Sequence, residues 1–129
     1  PIRSDKMPTM NIINKHWIPD ISGIILGLWI AYMAPIHIDM IASGTLDITI
    51  IGHAIAGLLG SIGAIMIIMH KFSGAILNII AHSVGAIMGL IDIQVYDLIF
   101  PPLQLFIPIA FSVIVVSALP LIFARDILK

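Results

Sequence analysis

The sequence predicts an all-α integral membrane protein whose four transmembrane helices form a compact bundle, with both termini in the cytoplasm. Three observations predict this. The 129 residues are 60% hydrophobic and only 10% charged, whereas a water-soluble domain has about 25% charged residues. Four apolar stretches each reach about 20 residues, the length that crosses a hydrocarbon core. All basic residues fall on one side of the membrane if these four stretches span it.

The four predicted spans are separated by short turn-forming segments. Pro101-Pro102 is a firm break before the last span, because proline lacks the N–H that a helix interior needs. The strands of a membrane β-barrel would alternate apolar and polar residues, and these stretches do not. The predicted spans are 21–42, 48–69, 73–93 and 103–124.

Only short segments remain outside these spans. We expect residues 1–20 to be a cytoplasmic N-terminal segment, with Trp17 anchored at the membrane interface, and residues 125–129 to be cytoplasmic. Twenty residues cannot build a hydrophobic core of their own. We therefore expect no soluble catalytic domain in this chain.

The distribution of charge gives the orientation. The side that carries both termini and the turn between the second and third spans holds all six Lys and Arg residues: Arg3, Lys6, Lys15, Lys71, Arg125 and Lys129. The other side holds no basic residue and four acidic ones: Asp39, Asp47, Asp92 and Asp97. Basic residues mark the cytoplasmic side, which predicts a multi-pass protein of the cell membrane.

Composition and motifs argue against several functions. A net charge of −1 gives no basic field, so we expect no nucleic-acid partner. The absence of cysteine excludes disulfides and thiolate metal sites. No phosphate-binding loop, zinc-protease motif or nucleophile elbow occurs. We therefore expect no catalytic residue, no metal site and no cofactor site in this chain, which fits a non-catalytic subunit of an enzyme complex.

Small residues at helical spacing predict how the spans pack. Helices in lipid associate largely where small residues allow the backbones to approach closely. We expect these contacts at Gly23, Gly27, Gly57, Gly60, Gly85 and Gly89. Contacts within the chain are the simpler explanation, and docking onto other membrane subunits is the alternative. The fourth span has no glycine, and in the docking alternative we expect it to be the most exposed to lipid.

Four polar residues inside the second and third spans are candidates for a proton or ion path: His53, Asn78, His82 and Asp92. A hairpin of these spans puts His53 and Asp92 at one depth, about 8 Å inside the outer boundary. They could exchange a proton, or form a polar clasp that fixes the helix register. His82 lies near mid-membrane, with Asn78 one turn away. It could be a packing residue, a proton station or a haem ligand.

The remaining histidines lie nearer the membrane surfaces. We expect solvated side chains at His16 and His70, and either an interfacial or a functional role for His37. Haem b requires two histidines at one depth on different helices. His53 and His82 differ in depth by about 13 Å, which argues against a haem within this chain and leaves open one shared with another subunit.

One short segment resembles a known family. Residues 70–74, His-Lys-Phe-Ser-Gly, are similar to the His-Arg-x-Ser-Gly segment of the cytochrome b anchor of succinate dehydrogenase. The resemblance implies a quinone pocket that involves Lys71 and Ser73. It covers five of 129 residues, has Lys71 in place of Arg, and precedes the third span rather than the first. We therefore assign the chain to no family.

Three functions fit these observations. The first is a scaffold or ion-path subunit of a multisubunit energy-converting membrane complex, such as a respiratory, hydrogenase or ion-translocating methyltransferase assembly. Its partners are then other membrane subunits and the lipid bilayer. The second is a self-assembling small transporter or channel, whose pore is lined by the polar face of the third span. The third is a membrane anchor that binds haem b or quinone.

Overall fold

The computed structural model describes residues 15–43, 48–95 and 103–129, and within these ranges the fold is all-helical. Each of the four helices is long and apolar enough to cross a membrane, as in a multi-pass membrane protein. A short 3-10 turn, Arg125–Ile127, follows the last of them. The helices are α1 (Trp17–Ala42), α2 (Ile48–Ile68), α3 (Phe72–Val95) and α4 (Leu103–Phe123).

Two helix ends differ from the predicted spans by more than one residue. α1 begins at Trp17 rather than at residue 21, because the Pro19 ring falls in the first turn, where no intrahelical partner for an N–H is required. α3 continues to Val95 rather than ending at residue 93. Helix α1 therefore includes residues 17–20, which we assigned to the cytoplasmic N-terminal segment.

The helices run up and down around a ring. Consecutive helices contact one another, and α4 returns to contact α1. One end of the bundle, the turn end, contains the start of α1, the α2–α3 turn and the end of α4. The opposite end, the cavity end, contains the end of α1, the start of α2, the end of α3 and the start of α4.

The α2–α3 turn closes through backbone hydrogen bonds. The Lys71 N–H donates to the Met66 carbonyl and the His70 N–H donates to the Ile67 carbonyl, both at 2.8 Å. This is the pattern in which the residue after the helix adopts a left-handed conformation. His70 occupies that position with φ of 57°, where glycine is the usual residue. The turn brings α3 directly against α2.

Glycines let α2 and α3 approach closely along their whole length. A Cβ atom added at Gly74 would lie 2.6 Å from the Met66 Cβ and 2.8 Å from the Ile67 backbone nitrogen. One added at Gly52 would lie 2.7 Å from the Met88 sulfur. At Gly63 the Asn78 amide occupies the place that a Cβ atom would take. These three glycines are not among the six that we selected from the sequence.

Three of the six selected glycines lie at close contacts between helices. A Cβ added at Gly23 would lie 2.9 Å from the Ala64 carbonyl oxygen of α2. One added at Gly89 would meet the Phe106 ring of α4 at 2.6 Å, and one added at Gly60 would meet an α1 side chain at 3.2 Å. Helices α1, α2, α3 and α4 therefore each take part in at least one such contact.

The other three selected glycines leave room. The nearest atom to a Cβ added at Gly85 is the Ala56 Cβ at 3.8 Å, an ordinary contact distance. At Gly27 and Gly57 no atom of the described residues lies within 4 Å of an added Cβ. Helical spacing identifies a small-residue face but does not say which neighbour covers it, and contacts of Gly27 and Gly57 with another subunit stay a prediction.

Packing differs between the two ends of the bundle. In the half nearer the turn end, Leu26, Ile67 and Ala75 are fully buried and Ala64 is 3% exposed. Three α4 residues pack against this core: Val113, Val116 and Leu121. In the half nearer the cavity end, the four helices surround an open volume. The buried hydrophobic cluster therefore lies nearer the turn end, while burial near the cavity end is confined to a few residues such as Thr49 and Ile50.

α4 is the least buried of the four helices. Only 11% of its apolar window is buried inside the chain, against 28% for α2 and for α3. Its exposed side chains include Leu105, Ile107, Phe111 and Ile122. The absence of glycine predicted this exposure, because bulky side chains keep neighbouring backbones at a distance.

Candidate functional site

The polar residues inside the bundle begin with a contact between α2 and α3. His53 Nε2 lies 2.7 Å from Asp92 Oδ2, and the two side chains are only 11% and 12% exposed. A charge-assisted hydrogen bond of this length is among the stronger ones in proteins. At this distance one of the two atoms donates a hydrogen to the other. The structure thus brings together the two residues that we paired from the sequence because they lie at the same depth.

The second oxygen of Asp92 is the unusual atom of this pair. Oδ1 is buried and has no hydrogen-bond partner among the described residues. A buried acceptor without a donor costs free energy, so such an atom in a folded protein requires an explanation. Oδ1 is available to accept a hydrogen bond, or to take up a proton, from a group outside the described part of the chain.

α1 adds a third group to this site. The His37 ring lies 4.5 Å from the His53 ring between centroids, with the planes inclined by 33°. His37 thus belongs with His53 and Asp92 rather than standing alone at the membrane surface. Sequence reasoning gave His37 no partner, because the approach of α1 to α2 could not be deduced from spacing within one helix.

His82 and Asn78 are linked through the backbone rather than through their side chains. His82 Nδ1 lies 2.9 Å from the Asn78 carbonyl oxygen. A carbonyl oxygen can only accept, so Nδ1 carries the hydrogen, and Nε2 of the neutral ring is an acceptor. Nε2 has no hydrogen-bond partner among the described residues.

The Asn78 side chain points away from His82 and into the α2–α3 contact. It is fully buried, and Nδ2 donates to the Gly74 carbonyl at 3.3 Å. Its Oδ1 has no partner in the described ranges. The Asn78 side chain therefore packs into the space left by Gly63. The structure does not bring it to the other candidate residues.

A cavity of about 530 Å³ joins these histidines. All four helices line it, and most of its surface is carbon. His37, His53 and His82 are all on its wall, together with Ser61. This cavity was not predicted from the sequence, because its volume depends on how the side chains of four helices fit together.

No protein-family model, no curated protein and no solved structure matches the chain. The function must therefore be inferred from the site itself. Among the described residues no three His, Asp or Glu side chains lie close enough together to hold a metal ion. A haem shared with another subunit stays a prediction.

A second polar group occupies the turn end. His70 Nε2 lies 3.0 Å from Asp20 Oδ1. Because Nε2 donates to this carboxylate, His70 Nδ1 accepts, and His16 Nδ1 at 3.3 Å is its donor. The expectation of a solvated side chain is wrong for His70, which is 22% exposed. Its partners lie 50 or more residues away in sequence, where no local pattern could identify them.

The C-terminal residues are tied to the same end. The Phe72 N–H donates to the Lys129 carbonyl at 2.9 Å, and the Lys129 N–H donates to the His70 carbonyl at 2.8 Å. Lys15 Nζ lies 3.2 Å from Asp126 Oδ1. This hydrogen bond holds the pKa of Asp126 below its ordinary value. The pair thus favours the folded state at neutral pH, and this contribution disappears as the pH falls through the lowered pKa.

Proposed function

We propose that this chain is a small integral membrane subunit of a multisubunit energy-converting complex, and that the His53–Asp92 pair is a proton-exchanging group within it. The observation that carries the proposal is the buried Asp92 Oδ1, which has no partner among the described residues. A carboxylate inside a membrane is costly and is usually kept for a function. A donor from a neighbouring subunit, or a transferred proton, would satisfy this atom.

The pair can take up or release a proton, and so change its charge, while its hydrogen bond stays in place. With His53 neutral and Nε2–H donating to Oδ2, Asp92 carries the negative charge. A proton that arrives at Oδ1 neutralises the carboxylate and leaves the His53 hydrogen bond in place. Because the side chains are nearly buried, the balance between the two states responds strongly to charges nearby. Movement of a charged group in a partner subunit would therefore drive uptake or release of the proton.

The self-assembling channel fits the structure less well. That hypothesis needs the polar face of α3 to be turned outward, toward other copies of the chain. Asn78 is fully buried and Asp92 is 8% exposed, and both lie against α2 within one chain. A pore between chains would have to be lined by other residues. This placement favours the subunit hypothesis.

The proposed orientation in the cell membrane places the turn end in the cytoplasm. Four basic residues lie at this end in the described ranges: Lys15, Lys71, Arg125 and Lys129. Ser43 follows α1 at the cavity end and Ser73 opens α3 at the turn end, and both are exposed. Because the chain contains no cysteine, a single cysteine at either position reports its side of the membrane.

We expect Ser43→Cys to react with a membrane-impermeant maleimide in intact cells, and Ser73→Cys to react only after the cells are opened. The physical reason is that positively charged loops are retained on the cytoplasmic side. Labelling of both cysteines from outside, or of Ser73→Cys alone, would contradict the proposed orientation.

The test of proton exchange is Asp92→Asn in the assembly that co-purifies with the tagged chain. Asparagine keeps an oxygen for the His53 hydrogen bond but cannot take up a proton. We expect assembly to be normal and ion-coupled turnover to fall roughly tenfold or more. The matched control is Asp39→Asn, because Asp39 is an exposed aspartate near the same end of the bundle. Equal turnover in wild type and Asp92→Asn would reject a proton-exchanging role.

A further inference from the structure

The cavity between the four helices, which is open along part of its wall, has the dimensions of a binding site. Its volume of about 530 Å³ falls within the roughly 300–1,000 Å³ of pockets for small molecules and cofactors. It lies between four helices, with aromatic side chains of α1 and α4 in its wall: Trp29, Tyr32 and Phe106. An unfilled space of this size would forfeit many packing contacts, so an occupant is expected.

Water is a poor occupant. A cavity holds ordered water when each molecule finds two to four polar partners, and apolar cavities stay dry. Here the wall is mostly carbon, and its polar side chains are few. His53 already bonds to Asp92, and Ser61 Oγ donates to the Gly57 carbonyl. The cavity therefore suits a molecule that is apolar over most of its surface.

Several polar side chains line the cavity, and His82 offers the deepest ring nitrogen for the polar end of that molecule. His82 Nδ1 donates to the Asn78 carbonyl, so Nε2 presents a lone pair and has no partner in the described part of the chain. A ligand group that satisfies this atom must donate a hydrogen bond. A hydroxyl group does so without bringing a charge into the bundle, and an aromatic body matches the aromatic part of the wall.

We propose that this cavity binds a lipid-soluble phenol or hydroquinone, whose hydroxyl group donates to His82 Nε2 and whose ring and tail fill the apolar space. The proposal goes beyond proton exchange at Asp92 and does not depend on it. A lipid acyl chain would fill the same volume without using His82. A helix of another subunit would fill it only in the assembled complex.

The experiment uses the purified chain in phosphatidylcholine nanodiscs and radiolabelled 4-decylphenol, with empty nanodiscs to correct for partition into lipid. We expect saturable binding to the wild type. The methyl ether, 4-decylanisole, has the same shape without the donor, and we expect it to compete about tenfold more weakly, the effect of one lost hydrogen bond. Equal competition by the ether would overturn the proposal in favour of an apolar chain.

Two variants test the site. In His82→Phe we expect the preference for the phenol over the ether to disappear, since both then meet only carbon. In Gly57→Leu we expect saturable binding to be lost, because the new side chain enters the cavity where an added Cβ meets nothing within 4 Å. Gly27→Leu is the matched control, since Gly27 is equally open and lies outside the cavity wall.

Folding of each variant is verified by its helical circular dichroism and by cooperative thermal unfolding. If Gly57→Leu folds and binds 4-decylphenol like the wild type, the cavity is not the site. If the wild type shows no saturable binding, the cavity does not take this class of ligand, and a lipid acyl chain or a partner helix would be its occupant instead. Neither outcome bears on turnover in Asp92→Asn.

Discussion

Gly74→Leu is expected to prevent α2 and α3 from closing into their hairpin and to leave the chain without a cooperatively folded bundle. An added Cβ alone would lie 2.6 Å from the Met66 Cβ and 2.8 Å from the Ile67 backbone nitrogen. The backbone of α2 cannot move aside as a flexible side chain can. Overpacking of a well-packed core costs about 1–3 kcal/mol, occasionally more, and a backbone clash belongs at the upper end of that range.

The measurement is the free energy of unfolding in mixed micelles, followed by loss of helical circular dichroism as denaturing detergent is added. Gly27→Leu is again the matched control, because nothing lies within 4 Å of its added Cβ. We expect this control to unfold within about 1 kcal/mol of the wild type, because the helix propensities of glycine and leucine differ by less than that, in favour of leucine. A Gly74→Leu variant as stable as the control would mean that α2 and α3 are not in contact at this point.

His53→Leu is expected to lower the free energy of unfolding by roughly 3 kcal/mol, and Asp92→Leu by a smaller amount. Removal of one partner from a buried pair costs about 3–5 kcal/mol, because the other charge is left uncompensated. Coupling energies between polar groups on membrane helices are smaller, about 0.6 kcal/mol on average and about 1.7 kcal/mol at most in double-mutant cycles, so we take the low end of that range. His53→Leu is the worse change because Asp92 Oδ1 already has no partner in the described ranges, so both carboxylate oxygens would then be without one.

The double variant His53→Leu/Asp92→Leu distinguishes two explanations of the pair: a polar clasp that stabilises the bundle, and a functional group that is kept although it destabilises the bundle. Since it buries no unpaired group, we expect it to be more stable than His53→Leu and close to the wild type. The difference between the double variant and the sum of the single variants gives the coupling energy of the pair. Additive single effects would show that the two side chains do not interact. A double variant more stable than the wild type would mean that the pair is kept at a cost, as a functional group would be.

The sequence was sufficient to predict the four helices and one contact between them. In lipid, long apolar stretches adopt few structures other than α-helices, because every backbone N–H and C=O group must form its hydrogen bond within the segment. The pairing of His53 with Asp92 could be anticipated because the short turn after α2 fixes which residues of α2 and α3 share a depth. The orientation of the bundle and its partners remain predictions.

Contacts between helices that are distant in sequence could not be anticipated. His37 meets His53 because α1 crosses α2 at that level, and nothing in the spacing of α1 encodes the crossing. Gly23 and Gly27 lie one turn apart on the same helix, yet Gly23 meets the α2 backbone while Gly27 meets nothing within 4 Å. Helical periodicity places such residues on one face of a helix. Only the assembled bundle shows which of them contacts a neighbouring helix.

The unequal packing of the two halves also determines where the bundle can change shape. Local opening requires least free energy where the fewest buried contacts must break, which is the half that surrounds the cavity. Proline interrupts the backbone hydrogen bonds of α1 at Pro35 and of α4 at Pro108, and both residues fall in this half. The backbone near each proline is therefore held by fewer hydrogen bonds than the core around Leu26 and Ile67. Because the cavity is already open along part of its wall, a lipid-soluble molecule would reach it, in the proposed membrane orientation, directly from the surrounding lipid and with no passage through water.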